Sequence, residues 1–392
     1  MATCNQTVDG QTVLSRSVTS LLAVAGGVAV ANVYFAQPLL VTMGRDFGMG
    51  RAVLGLVVTI TQIGYGVGLF LVVPLGDLVD ARRLAVVQLV LLAAALVIVG
   101  TAGAGGVLLA ALAAVGLLAV VVQTLVAYAA SLAEPARRGR VVGSVTSGVV
   151  IGILLARVVS GAVADLAGWR SVYLLSAALT VAVMVALYRV LPPSHRPLAE
   201  VSYRQLLGSM VTLFLRERVF RTRATLALLI FAAFNTLWSA VALPLSEMSL
   251  SHSAIGAFGL AGVAGAVAAG PAGRLNDRGY ARWTTGGALV LLVLCWLPIA
   301  LTRQSLWALA VGALLLDLAV QAVHVTNQSL IFGLRPDAGS RVVGGYMVFY
   351  SIGSGLGAIA STTVYSLAGW GGVCILGAAF SAAALVVWLP SR

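Results

Sequence analysis

The chain has no lysine: all 24 of its basic residues are arginine, and only 9% of its 392 residues are charged. A soluble domain carries about 25% charged residues. A surface this poor in charge cannot be covered by water, so most of it must face lipid. With no lysine there can be no phosphate-binding G-x-x-x-x-G-K-[ST] loop, which argues against an ATP-driven pump. The three cysteines, Cys4, Cys295 and Cys374, are far apart. They read as small packing residues, with neither a disulfide framework nor zinc spacing. H-E-x-x-H is absent too, so no enzyme, cofactor or metal centre is expected. The formal charge of +12 could suggest nucleic acid. The arginines, however, sit in short gaps between apolar runs, a pattern of membrane orientation and contact with anionic lipid, with no nucleic-acid partner.

What remains is hydrophobic: 60% of residues are apolar and the mean hydropathy is +1.03. A membrane-crossing helix needs about 20 mostly apolar residues. Twelve such runs are predicted at 18–43, 52–75, 84–104, 106–132, 141–164, 170–191, 224–248, 253–272, 284–302, 305–333, 342–365 and 370–390. Residues 16–31 could pass for a secretory leader with Ala29-Val30-Ala31 as its cleavage site, but losing them would leave an odd number of spans. The long gap 192–223 opens with Pro192-Pro193 and is dense in arginine, as befits a linker. Within it Leu206, Leu207, Met210, Leu213 and Phe214 recur at helical spacing, which predicts a short helix on the membrane surface. With the N-terminus inside, 19 arginines fall on inner segments, four on outer loops and one, Arg157, within a span. That bias predicts an inner-membrane protein with both termini cytoplasmic.

The chain also repeats itself. Arg140-Val141-Val142-Gly143 recurs as Arg341-Val342-Val343-Gly344, and Leu166-Ala167-Gly168-Trp169 as Leu367-Ala368-Gly369-Trp370, both at an offset of 201. Asp77, Ala81 and Arg82 recur as Asp277, Ala281 and Arg282, at an offset of 200. Offsets of 200 to 201 at several separate places predict a tandem duplication of a six-span unit. Six is even, so both units share one orientation, related by an axis along the membrane normal. The expected organisation is a six-helix bundle at 1–191, a linker at 192–223 and a second six-helix bundle at 224–392.

Together these features resemble the major facilitator superfamily over the whole chain. The family's loop signature, G-x-L-[AS]-D-R-x-G-R-[RK], is met at 73–83 by Leu75, Asp77 and Arg82, without its two glycines or the Arg after Asp. The second copy, from Gly273 to Arg282, matches better. Asn32 to Leu40, reading NVYFAQPLL, is similar to the first span of a bacterial drug or sugar efflux-permease branch. The G-P-x-x-G-G element of drug:proton antiporters has its glycines at Gly148 and Gly152 but no proline. The resemblance implies an all-α membrane fold in two pseudo-symmetric bundles. It implies that spans one, four, seven and ten line the cavity, and that two, five, eight and eleven form the interface between halves. The signature loops then act as conformational latches: Asp77 and Arg82 with Glu134 as partner, mirrored by Asp277 and Arg282.

Three ionisable side chains lie well inside the spans: Arg157, Asp317 and His324. A charge at mid-bilayer costs about 2.5–3.5 kcal/mol on insertion scales, so it is paired, solvated or used. Asp317, Gln321, His324 and Gln328 share one face of the tenth span, with Asn327 beside them. Asp317, with His324, could carry a proton through the transport cycle; a structural polar network is the alternative. Arg157 stays protonated and could hold an anionic substrate, pair with Asp317, or tie neighbouring carbonyls. Further cavity candidates are Asn32, Tyr34, Gln37, Gln62, Tyr65, Gln123, Asn235 and Trp238, each of which could equally be packing glue between helices. The expectation is a monomeric secondary transporter exporting a small molecule in exchange for protons, its energy drawn from the proton gradient. The alternatives are proton-coupled uptake of an anionic metabolite, or a receptor or enzyme on the same scaffold.

Overall fold

A computed structural model describes residues 7–8, 11–12, 16–134, 137–192, 202–332 and 339–391. Apart from one two-residue strand pair, Thr7–Val8 against Gln11–Thr12, the described chain is helical. The helices are α1 Arg16–Ala31, α2 Leu40–Asp46, α3 Gly55–Leu71, α4 Ala81–Thr101, α5 Gly105–Ala119, α6 Val121–Leu132, α7 Arg138–Ala167 and α8 Trp169–Val190. After them come α9 Tyr203–Arg216, α10 Arg218–Ala240, α11 Ala242–Glu247, α12 His252–Ala257, α13 Gly262–Asp277, α14 Ala281–Leu294, α15 Trp296–Ala300, α16 Leu306–Phe332 and α17 Gly339–Trp388. Among the described residues, nine helical stretches are long and apolar enough to cross a membrane, and two shorter apolar helices lie at Arg16–Ala31 and His252–Gly265.

The breaks between these helices have local causes. α1 gives way at residues 32–36 to a 3-10 turn, Gln37–Leu39, where Pro38 has no N–H to continue the ladder. α7 and α8 meet at Gly168, φ 81°, and α17 is broken at Gly369, φ 63°. Both positions need a left-handed backbone that glycine adopts without penalty. They are 201 residues apart, the offset seen in the sequence. The same offset links Gly48, φ 64°, with Ser249, φ 61°. Leu166 and Leu367, also 201 apart, are 87% and 81% exposed.

Before the linker, α1 packs on α6, α7 and α8, while α4 packs on α5, α6 and α8, and α3 on α5. After it, α10 packs on α17, α13 on α16, and α14 on α16 and α17. Two crossings join these groups: α3 against α17, and α7 against α12. The helices touch there backbone to backbone. A Cβ on Gly256 would lie 2.3 Å from the Arg157 carbonyl oxygen, and one on Gly55 would lie 2.2 Å from that of Ala358. The partners are again 201 apart, so the two crossings are copies of one contact. Gly256 brings α12 against α7 at the residue that carries the buried arginine.

α9 begins at Ser202, which forms a reciprocal capping box with Gln205. Its Leu206 and Met210 are buried, Phe214 stacks on Phe349 of α17 at 4.8 Å, and Leu215 is exposed. The Tyr203 hydroxyl donates to the Leu71 carbonyl, so α9 touches elements that precede it and elements that follow it in the chain.

Candidate functional site

α10 is the most enclosed of the long helices, with 89% of its most apolar stretch buried against 28% for α7. It therefore sits at the centre of the protein, and the polar side chains it presents meet those of α7, α16 and the Gln37 turn. Arg157 comes from α7 and is 2% exposed. Its Nε donates to Gln37 Oε1 at 2.6 Å, Gln37 Nε2 donates to Asn235 Oδ1 at 3.2 Å, and Asn235 Nδ2 donates to the Phe231 carbonyl at 3.4 Å. The guanidinium lies over the Trp238 ring at 4.1 Å, with Tyr34 at 5.3 Å and Phe234 at 5.5 Å. Three aromatic faces thus replace the water this cation has lost.

Asp317 of α16 is 7% exposed. Its carboxylate lies beside the Trp238 indole and feels the charge of Arg157. The two charged groups nevertheless make no ion pair with each other among the described residues. Arg157 Nη2, Trp238 Nε1 and Asp317 Oδ2 are all buried without a hydrogen-bond partner. Gly259, just after α12, and Gly262, the first residue of α13, make room for both charges. A Cβ on Gly259 would meet the Arg157 side chain at 2.9 Å, and one on Gly262 would come within 3.7 Å of Asp317 Oδ1. Arg157 precedes the linker and Asp317 follows it, so the site is assembled from both parts of the chain.

The other polar candidates fall into separate neighbourhoods. His324 Nδ1 is 3.0 Å from the Tyr346 hydroxyl and meets the Phe231 ring edge-on at 5.1 Å. Asn327 Nδ2 also reaches Tyr346, at 3.5 Å, and its Oδ1 accepts from Arg223 at 3.2 Å. His324 is seven residues from Asp317, about 10 Å along the helix, and faces α10 and α17. Gln321 lies nearer Asp317, against Gly265, and Gln328 is half-buried. The shared polar face of α16 therefore divides between two sets of neighbours. Tyr34 links to the Tyr350 hydroxyl, Tyr65 packs on the Tyr350 ring at 6.5 Å, and Gln123 contacts the Tyr65 hydroxyl. The Gln62 carbonyl accepts from Ser351 Oγ, leaving Gln62 Nε2 without a partner. Asn32 faces away from the site: its Nδ2 donates to the carbonyls of Val28 and Ala29, and its Oδ1 accepts from Ser176 at 2.8 Å.

Of the latch candidates, the side chains of Asp77 and Asp277 lie outside the described residues. Arg82 donates to the Tyr188 carbonyl and stacks over the Tyr188 ring at 4.9 Å. Glu134 pairs with Arg137 at 3.5 Å, and Arg282 is exposed. The end opposite the linker is joined instead by residues that sequence reasoning did not single out. Asp165 accepts from the backbone and side chains of His252 and Ser253. His252 Nε2 meets Thr42 Oγ1 at 2.6 Å. Glu247 pairs with both Arg51 and Arg303. Tyr346 and Tyr350 were also missed, although their spacing of four on one apolar run places both on one helical face.

These buried charges inside a lipid-facing helical body mark a membrane transporter. The Major Facilitator Superfamily profile matches residues 22–245 and again residues 224–392, and the chain belongs to that family. It is 43% identical over 377 residues to an uncharacterized transporter, YgaY, of Escherichia coli O157:H7, covering 96% of this chain and 95% of that one. A Streptomyces coelicolor protein described as "Probable transporter SCO4007" is 32% identical over 93% of this chain and 85% of its own length. Among solved structures, a bacterial homologue of the human lysosomal transporter Spinster, inward-facing and unoccupied, superposes with a TM-score of 0.77. That match covers 96% of this chain and 98% of the other at 15% identity, a likeness of fold. The protein is a multi-pass membrane transporter of bacterial type working by alternating access, and it is not an enzyme.

Proposed function

We propose that this chain exports a small molecule in exchange for protons, with Asp317 as the proton carrier. The observation that carries the reading is the placement of Asp317 and Arg157. Two opposite charges, one from each side of the linker, are buried beside one another without pairing. A carboxylate in that position is neutralised by a proton or by a cation, and exchange of one for the other is antiport. Two six-helix halves, 1–191 and 224–392, rock against one another, and the paired crossings at Gly55 and Gly256 part as the end opposite residues 192–223 opens. The repeated offset in backbone geometry and the two family matches, over 22–245 and 224–392, support that division. The arginine bias supports cytoplasmic termini and an inner-membrane location. In that orientation the end joined by Asp165, His252 and Glu247 is periplasmic, and the conformer is closed to the outside. The similarity of Asn32–Leu40 to efflux permeases supports the outward direction.

Asp317→Asn in reconstituted vesicles should abolish accumulation driven by a pH gradient while preserving substrate exchange that moves no net proton. His324→Gln should show a milder loss with a shifted pH optimum. Asp317→Asn vesicles that still concentrate substrate in response to a pH gradient would assign the proton to another site. A second reading, proton-coupled uptake of an anionic metabolite, is favoured by the unpartnered Nη2 of Arg157. The sign of the gradient that drives accumulation separates the two.

A further inference from the structure

We propose that the site between Arg157 and Asp317 takes a small zwitterion of amino-acid type, its carboxylate on Arg157 Nη2 and its ammonium on Asp317 Oδ2. The proposal rests on the reading of this cluster as the transport site. It goes further by naming the substrate's charge pattern.

Arg157 Nε is already committed to Gln37, and Gln37 to Asn235, so that edge of the guanidinium is closed by protein. The faces of the guanidinium are occupied by rings, with Trp238 nearest at 4.1 Å. Nη2 is left as a buried donor with nothing to bond. Asp317 Oδ2 is a buried acceptor in the same condition. Buried polar atoms are normally satisfied, and leaving a charged one unpaired is the costly case. Two such atoms of opposite sign, in adjacent side chains that do not reach each other, describe a gap with one anionic and one cationic subsite.

Charge balance then selects the ligand. The arginine and the ionised aspartate sum to zero. A carboxylate alone would face Asp317 as well as Arg157, and an amine alone would face Arg157 as well as Asp317. Either would leave a net charge in a buried setting, which is expensive. A zwitterion satisfies both subsites and leaves the sum at zero. The two subsites belong to opposite sides of the linker, so one compact ligand draws both parts of the chain onto itself. Protonating Asp317 removes the ammonium subsite and releases the ligand's cationic end.

The test is a ligand-induced thermal shift on the purified full-length protein. The probes are the twenty standard amino acids, each beside its matching amine without the carboxylate and its matching acid without the amine. At least one amino acid should raise the melting temperature at neutral pH, with both singly charged partners at least tenfold weaker. Arg157→Gln should lose that response. Asp317→Asn should lose it too and bind the acid at least as well as the amino acid. No stabilising amino acid for the wild-type protein, or a singly charged partner equal to its amino acid, would overturn the proposal without recourse to any variant. Amino acids that bind but are not driven by a pH gradient would sink the proton-coupling reading and leave this one standing. Proton-driven transport of a ligand lacking either charge would do the reverse.

Discussion

Replacing Gly256 with Ala tests the crossing that carries Arg157. The added Cβ would lie 2.3 Å from the Arg157 carbonyl oxygen, a backbone atom that no side-chain rotation can move. Ordinary contact begins about 1 Å further out, so α7 and α12 must separate by roughly that distance. Overpacking of this kind costs about 1–3 kcal/mol. In the proposed rocking motion this contact parts as the end opposite residues 192–223 opens, so the cost falls on the closed conformer. A bias of 1–3 kcal/mol changes a two-state equilibrium by about 5- to 150-fold. Spin labels on Arg45→Cys and Met248→Cys, which flank the two loops at that end, should report a larger long-distance population. Gly55→Ala, whose Cβ would lie 2.2 Å from the Ala358 carbonyl, should act in the same direction because it wedges the copied crossing. Gly143→Ala is the control: it lies on the same helix as Arg157, and its Cβ would meet nothing within 4 Å. If both wedge variants gave the control's distance distribution and melting temperature, the crossings would not be the contacts that separate in the transport cycle.

Three further outcomes follow from other contacts. Asp165→Asn weakens the carboxylate that holds His252 and Ser253, so the same spin-label pair should shift towards the open distance, with His252→Gln giving a smaller shift; unchanged distances in both would remove this cluster from the gate. Asp46, beyond the end of the first span, is held below the usual carboxylate range by hydrogen bonds from Trp169 and Arg170. Its contribution is therefore complete above the ordinary carboxylate value near pH 4 and is lost as pH falls below it, and Asp46→Asn should flatten that part of a melting-temperature profile. The pair is partly exposed, so the effect is about 1 kcal/mol or less. Single cysteines placed in 134–140 or 192–223 should resist an impermeant thiol reagent in intact cells, and labelling of either segment from outside would invert the orientation.

Much of this arrangement was legible in the sequence because lipid imposes a simple code. Apolar runs of the necessary length marked the spans, and the offset of 201 reappeared as paired left-handed residues and paired helix crossings. Arg157 and Asp317 stood out because charges are rare at that depth. Their neighbourhood did not follow from the same logic. Asn32 looked like a cavity residue but bonds to its own helix and to Ser176. Periodicity identifies a face, whereas its partner depends on how the helix is rotated in the bundle. For the same reason the polar face of α16 divides, Asp317 towards Trp238 and His324 towards Tyr346.

The amino-acid sequence alone determined the class of solvent, the presence of many long apolar helices, the 201-residue repeat and the few ionisable groups inside those helices. Each depends on local composition or on a repeated spacing, and neither needs a partner helix. Only the tertiary structure decided that Arg157 and Asp317 share one site, that Gln37 and Asn235 close one edge of the guanidinium, and that Asp165 meets His252 at the far end. These contacts join residues 87 to 198 positions apart. They exist because glycines at the crossings let backbones touch, and that close approach sets which side chains meet.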